Sequence, residues 1–446
     1  MTMKSGLRSS NRVNNGGPAT DNNATFDIRP STFELRHSQI DIRPSTFDLR
    51  HSQVDIRNST FDLLNRRRFV QLAGLTIAQR IMPDSLWARL RPPASDSPRK
   101  IIIVTFGGGV RYSETFSQDG LKNIPSLAKM RPHGLFFQRC ANSGVLSHFN
   151  STASIVTGNW QRVDDFGFQP PSSPTIFEYY RKQSGAGSLD AWVIATNKSF
   201  STMGAGSDRD WGMPYGANVV LPKQLLLEAV STVLKKRPDQ GVASRENVLR
   251  QLESILSEGY EGIGWTIFKA GRQLDQAVRQ TLTRALVEYI SGPEAPTSGD
   301  ELTFFITREV MREFGPRLIL VNFWDMDVAH WGSYSLYLQA ITRTDRLTGM
   351  LWEEIQTNPK YKGKTTFLIL PELGRDGDFD TANGFLNHRS GDASCRNVWL
   401  LAMGEGITAG EIERPINHVD IPATVAELLD VRIGETSGKP IKEVLG

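Results

Sequence analysis

Three short stretches of this sequence place metal-binding side chains close together. Asp325-Met326-Asp327-Val328-Ala329-His330-Trp331-Gly332 sets two carboxylates and an imidazole within six residues. Pro371-Glu372-Leu373-Gly374-Arg375-Asp376 and Asn387-His388-Arg389-Ser390-Gly391-Asp392 are two further polar clusters of the same kind. Carboxylate and imidazole brought to one point can hold a divalent cation. Five histidines lie beyond residue 91: His133, His148, His330, His388 and His418. A lone polar residue of this kind is ordinarily a helix cap or half of a salt bridge. Three clusters in successive loops point instead to a metal.

The loops follow segments that read as buried strands. Residues 100–105 (KIIIVT) are a β-branched run that delivers Phe106-Gly107-Gly108-Gly109, as a central strand ending in a glycine loop would. Further strands are expected over 134–140, 191–196, 317–323, 364–370 and 397–402. Helical patterns fall between them, around 124–130, over 150–157 with Gly158 as terminator, from 174, over 333–356 and after Asp420. In the long helix, Tyr334, Leu338, Ile341, Leu347, Leu351 and Ile355 share one apolar face. This alternation predicts an α/β fold, a mostly parallel central sheet with helices on both faces. The polar clusters then fall at the carboxyl ends of the strands, where such sheets bind ligands. Gly and Pro punctuate 204–222, and amphipathic patterns fill the stretch up to 314, so a helical insertion is expected over about 204–314.

The first 64 residues differ from the rest. From Asp27 a seven-residue unit recurs (DIRPSTF, ELRHSQI, DIRPSTF, DLRHSQV, DIRNSTF), with prolines that exclude a coiled coil. It is either translated repetitive DNA upstream of a misplaced start or a β-repeat array, and a disordered leader is expected. Asn65-Arg66-Arg67-Arg68-Phe69-Val70-Gln71 resembles a twin-arginine export signal. With the linker around Arg91-Pro92-Pro93 it occupies 65–92, leaving 93–446 as the folded domain. A cell envelope or periplasmic location after passage through the twin-arginine machinery is the expectation. The net charge of +3 splits unevenly: the leader and signal to Arg91 carry 14 Lys/Arg against 8 Asp/Glu, the remainder 37 against 40. A body without basic excess excludes nucleic acid as a partner. No apolar run is long enough for a membrane span, so an integral membrane protein is not expected. The two cysteines, Cys140 and Cys395, fit either a disulfide or two buried thiols.

From Lys100 to Asp430 the order of motifs resembles the alkaline phosphatase/sulfatase superfamily. Ile124-Pro125-Ser126-Leu127 and Gly134-Leu135-Phe136-Phe137 resemble its stretch after the first strand. His148-Phe149-Asn150-Ser151-Thr152 onward to Thr157-Gly158 resembles its nucleophile helix. Asn322 through Gly332 and Asn417-His418-Val419-Asp420-Ile421-Pro422 resemble its later loop and final-helix motifs. The sequence is closest to an uncharacterised, twin-arginine-exported, sulfatase-like family that shares the glycine loop, the His at the nucleophile position and the Glu-x-Gly-Arg segment. The resemblance implies one divalent ion, zinc, manganese or iron, held by Asp327, His330 and His388, with Glu372 in the neighbouring half-site. It also implies that His148 occupies the nucleophile's slot as ligand or base rather than as a covalent nucleophile. Arg111 or Arg375 would then hold an oxyanion. Three departures stand out: Gly107-Gly108 replaces a ligand Asp, Glu372-Leu373 replaces an Asp-His pair, and Asp327 and His330 are three apart rather than four. Ser147, Ser151 and Thr152 at the helix start are substitute nucleophiles or plain caps. Two functions remain: an exported metal-dependent hydrolase of phosphoric or sulfuric esters, acting on an anionic ester or glycan, or an inactive relative that binds an envelope ligand or serves in assembly.

Overall fold

The run Lys100–Phe106 forms β1, and every residue after its first is buried. Its side chains alternate between two cores, Ile101 and Ile103 on one face, Ile102, Val104 and Phe106 on the other. Burial on both sides is what allows a strand without polar alternation. The computed structural model describes residues 99–163, 169–226, 229–230, 274–290, 296–378 and 384–446. All of them fall in one unit, Ala73–Gly446. The repeat leader and the twin-arginine segment lie outside the described residues.

In chain order β1 is followed by α1 (Pro125–Met130), β2 (Leu135–Ala141), α2 (His148–Thr157), α3 (Ile176–Ser184), β3 (Ala191–Ala195) and β4 (Asn218–Val220). Then come α4 (Gln276–Ile290), α5 (Gly299–Glu313), β5 (Leu318–Phe323), α6 (Tyr334–Thr357) and β6 (Thr365–Pro371). The chain ends with α7 (Ala393–Arg396), β7 (Asn397–Gly404), β8 (Gly410–Ile412), β9 (Ile416–Asn417), α8 (Asp420–Leu428) and α9 (Lys442–Leu445). The strands make one sheet in the order β4-β3-β5-β1-β6-β7-β2-β8, with β9 also on β2. Strands β4 to β6 are mutually parallel, and β7 alone is antiparallel to its neighbours β6 and β2. Helices α1, α4, α5 and α6 cover one face, and α2, α3 and α8 cover the other. The α/β class read from the sequence is the observed one.

Two details differ from expectation. The stretch expected as an insertion contains β4, which extends the sheet edge beside β3, and α5, which packs its apolar face into the main core. A strand of three residues among Gly and Pro leaves no periodicity to read. Residues 227–228, 231–273 and 291–295 of that stretch lie outside the described residues. The second difference is Tyr334, expected on the apolar face of α6 but 44% exposed, because the first turn of the helix stands clear of the core. Cys140 and Cys395 are buried free thiols. No helix among the described residues is long and apolar enough to cross a membrane.

Candidate metal centre

Strands β5, β1, β6 and β2 all end on one edge of the sheet, and β7 begins there. The loops on this edge carry the polar clusters. After β5 the chain turns into a 3-10 segment, Asp325–Trp331, whose Asp327 amide donates to the Trp324 carbonyl at 3.0 Å. One turn of that segment brings Asp327 and His330 to the same side, with His330 Nε2 3.1 Å from Asp327 Oδ1. Helix α2 begins at His148, which places its ring at the same edge, with Nε2 3.2 Å from the same Oδ1. The strand that follows β6 in the sheet is β7, and the residues leading to it bring His388 Nε2 to 3.2 Å from His330 Nε2.

His148, Asp327, His330 and His388 thus offer four donor atoms lying within 4.8 Å of one another. Ligands about 2.1 Å from a shared tetrahedral ion stand about 3.4 Å apart. The observed edges of 3.1 to 3.2 Å are close to that separation. Nε2 of His148 is buried and, though near Asp327, lacks an aligned hydrogen bond. A buried polar atom of that kind calls for a partner, and an imidazole nitrogen facing two others and a carboxylate fits a cation. Three imidazoles with one carboxylate suit zinc, manganese or iron. The residues present therefore fit the single divalent ion expected from the sequence.

The charge states agree with that fit. Burial would raise the Asp327 carboxyl, but His148, His330 and the Arg375 guanidinium hold it well below its ordinary range. Burial pushes His388 well down, helped by the positive charge of His148, Arg375 and His330, so it presents a lone pair. His148 is the exception. Burial alone would lower it, but the carboxylates of Asp327 and Glu372 outweigh that and raise it to about 9.

Glu372, expected as a ligand, lies outside the donor group and is placed one layer behind it. Its Oε1 accepts from the Gly108 amide at 2.8 Å and stands 2.6 Å from His148 Nδ1. Its Oε2 accepts from Thr152 Oγ1 at 2.9 Å and Asn322 Nδ2 at 3.2 Å. With both oxygens occupied, its work is to orient His148 and fix the proton on Nδ1, as carboxylates behind metal-bound histidines do. The glycine loop makes this possible. A Cβ on Gly108 (φ +83°) would stand 2.4 Å from the Asp327 amide nitrogen, so no side chain fits where the resembled superfamily has a ligand Asp.

The two arginines expected to hold an oxyanion are otherwise engaged. Arg111 is buried and ion-paired with Glu114 and, at 2.7 Å, with Asp378. Arg375 is fully buried: it donates to the carbonyls of Gly108, Gly109, Phe385 and Leu386, and its Nη2 lies 3.1 Å from Asp327 Oδ1. It braces the loops and the carboxylate rather than facing a substrate. Thr152 is bound to Glu372, and Ser151 accepts from Asn142 at 2.7 Å. His133 is exposed and precedes the start of β2, at the opposite edge of the sheet. His418 is buried outside the donor group, pushed down to about 3 by burial with only a poorly aligned contact to the Pro371 backbone opposing it.

Sequence reasoning missed Asp300, at the start of α5. Its buried Oδ1 accepts from the Trp324 amide at 2.6 Å and Thr196 Oγ1 at 2.8 Å, and its Oδ2 from the Asp325 amide at 3.1 Å and Thr344 Oγ1 at 3.2 Å. One carboxylate therefore ties β3, α6 and the loop that carries Asp327. Burial and the Asp325 carboxylate raise it to about 8. The available signal was Ser298 with Glu301 three residues on, a capping pattern that locates the helix start but not its tertiary role.

No family model matches the sequence, and no curated protein matches it. Similar solved structures include an alkaline phosphatase superfamily protein from Vibrio parahaemolyticus, 12% identical over 79% of this chain and 72% of that one, TM-score 0.49. The phosphonate monoester hydrolase of Agrobacterium radiobacter is 12% identical over 78% of this chain and 77% of its own, TM-score 0.49. The wild-type alkaline phosphatase PafA is 14% identical over 79% of this chain and 100% of its own, TM-score 0.48. These neighbours belong to the superfamily that the motifs resemble. At such identities and scores, the fold rests on its own strand order and the site on its own geometry.

Proposed function

We propose that this chain is a metal-dependent hydrolase of phosphoric or sulfuric esters that works in the cell envelope after twin-arginine export. The observation that carries the catalytic part is the convergence of His148, His330 and His388 nitrogens with Asp327 Oδ1, with His148 locked from behind by Glu372. A divalent ion held by these four residues would supply Lewis acidity to an ester oxygen and acidify water. The protein's own contribution is orientation. Glu372 holds the His148 proton on Nδ1 and turns Nε2 toward the centre, while His148, His330 and Arg375 together keep Asp327 ionised. Ser151 and Thr152 are tied inward rather than poised for covalent attack, and the reading is direct attack by water.

A second reading, a non-catalytic ligand-binding or assembly protein, draws on the engagement of Arg111 and Arg375 with carboxylates, which leaves neither to steady an oxyanion. Assays with 4-nitrophenyl phosphate, bis(4-nitrophenyl) phosphate and 4-nitrophenyl sulfate, in the presence of zinc or manganese, separate the two. Metal-dependent turnover that disappears in His330→Ala supports the hydrolase; metal binding without turnover of any ester supports the alternative. Export is tested by replacing Arg66 and Arg67 with Lys in the native precursor, which should retain the protein in the cytoplasm.

A further inference from the structure

His148 reaches the centre from a different part of the chain than Asp327 and His330, and its aim depends on more than one contact. Glu372 holds Nδ1 at 2.6 Å. A single hydrogen bond does not fix the plane of the ring, because the outer torsion of a histidine is broad and roughly two-fold. The residue that meets the ring itself is Trp324. Its indole packs edge-on with the His148 imidazole, the ring centroids 4.6 Å apart and the planes at 67°, a favoured arrangement for an aromatic pair.

Trp324 is itself held on every side that the structure shows. It is buried and packs in one core of the sheet with Phe149 and Phe200. Phe149 stacks on it at 5.8 Å, and Phe200, in the 3-10 turn after β3, meets it edge-on at 5.5 Å. Its amide donates to Asp300 Oδ1 at 2.6 Å, and its carbonyl accepts from the Asp327 amide at 3.0 Å. One residue thus touches one candidate ligand through its ring and another through its carbonyl. The indole Nε1–H has no acceptor among the described residues, so ring contacts rather than a polar bond set the side chain's place.

We infer that Trp324 is a positioning residue of the metal centre. It joins α2 to the loop after β5, and its ring fixes the plane of the His148 imidazole so that Nε2 stays 3.2 Å from Asp327 Oδ1, while Glu372 fixes the proton on Nδ1. This rests on the reading of His148, Asp327, His330 and His388 as one metal site. A phenyl ring at position 324 keeps an aromatic surface against the imidazole. An aliphatic side chain there fills space but lets the imidazole turn.

Competition between the full chain and a chromogenic chelator for cobalt(II) tests this without turnover. Trp324→Leu should bind the metal about tenfold more weakly, near the low end of the cost of losing an outer partner of a metal-bound histidine. Its visible cobalt band should change toward that of His148→Ala. Trp324→Phe should keep the wild-type affinity and band. In the His148→Ala background Trp324→Leu should cost nothing further, because both substitutions act on the same ligand. Phe200→Leu removes one of the rings that hold the indole and should give a smaller loss of the same kind. Unchanged affinity in folded Trp324→Leu, an equal loss in Trp324→Phe, or a full further loss in the His148→Ala background would overturn the positioning role and leave the centre intact. Should Trp324→Leu not fold, wild-type affinity in Phe200→Leu overturns it in the same way. A wild-type chain that binds no cobalt(II), or a His148→Ala chain that binds it as tightly as the wild type, would overturn the centre and the role of Trp324 with it.

Discussion

Nδ1 of His148 stands 2.6 Å from Oε1 of Glu372, and through this contact the first residue of a buried helix becomes an aimed nitrogen donor. The carboxylate is itself held by the Gly108 amide, Thr152 and Asn322, so it cannot follow the histidine if the ring moves. The direction of Nε2 toward Asp327 is therefore built from four separate segments of chain. Each of those supports can be removed singly.

Glu372→Gln keeps the shape and removes the charge. It should lower metal affinity about 10- to 100-fold, the usual cost of losing a partner behind a metal-bound histidine. Competition titration with a chromogenic chelator reads this directly. An affinity equal to that of the wild-type chain would show that His148 is not a ligand held by Glu372.

Gly108→Ala tests the glycine loop. The new Cβ meets the Asp327 amide at 2.4 Å, at a φ of +83° that L side chains rarely adopt. Left-handed backbone at a residue other than glycine costs of order 1–3 kcal/mol, and relief of the clash displaces Asp327. A lower melting temperature together with loss of bound metal is expected. Full metal content in a folded variant would separate the loop from the centre.

Asp300 gives the chain a pH signature. An unfolded aspartate titrates at about 3.9, while burial and the Asp325 carboxylate push the folded Asp300 up to about 8. Between those values the folded chain holds a proton that the unfolded chain has released, so raising the pH across this window removes stability. The slope from this one group is at most about 1.4 kcal/mol per pH unit. Asp300→Asn cannot ionise and should flatten the fall in melting temperature between about pH 4 and pH 8 relative to the wild-type chain. Identical slopes in the two proteins would contradict the assignment.

The fold was legible where burial leaves a dense apolar signature. β1, β5 and β6 are buried runs dominated by hydrophobic residues, and their order with the helices between them predicts a doubly covered sheet. The candidate ligands were legible because strand-end position and residue type coincide at Asp327, His330 and His388. What the sequence hides is division of labour. Glu372 and Asp327 are both carboxylates just past strand ends, yet one faces three imidazoles and the other is saturated by four donors, a difference set by the Gly108 loop. Arg111 and Arg375 read as free cations because Glu114, Asp378 and the loop carbonyls that engage them carry no motif. Tyr334 fits the apolar stripe of α6, but only three dimensions show that the stripe begins beyond the edge of the core.

The proposed function stands on His148, Asp327, His330 and His388 sharing one divalent ion. Elemental analysis of the protein, purified without chelator and dialysed against zinc or manganese, tests it most directly. About one equivalent per chain is expected in the wild type and almost none in His330→Ala or His388→Ala, with both variants folded by circular dichroism. A wild-type chain that retains no metal, or variants that retain a full equivalent, would contradict it.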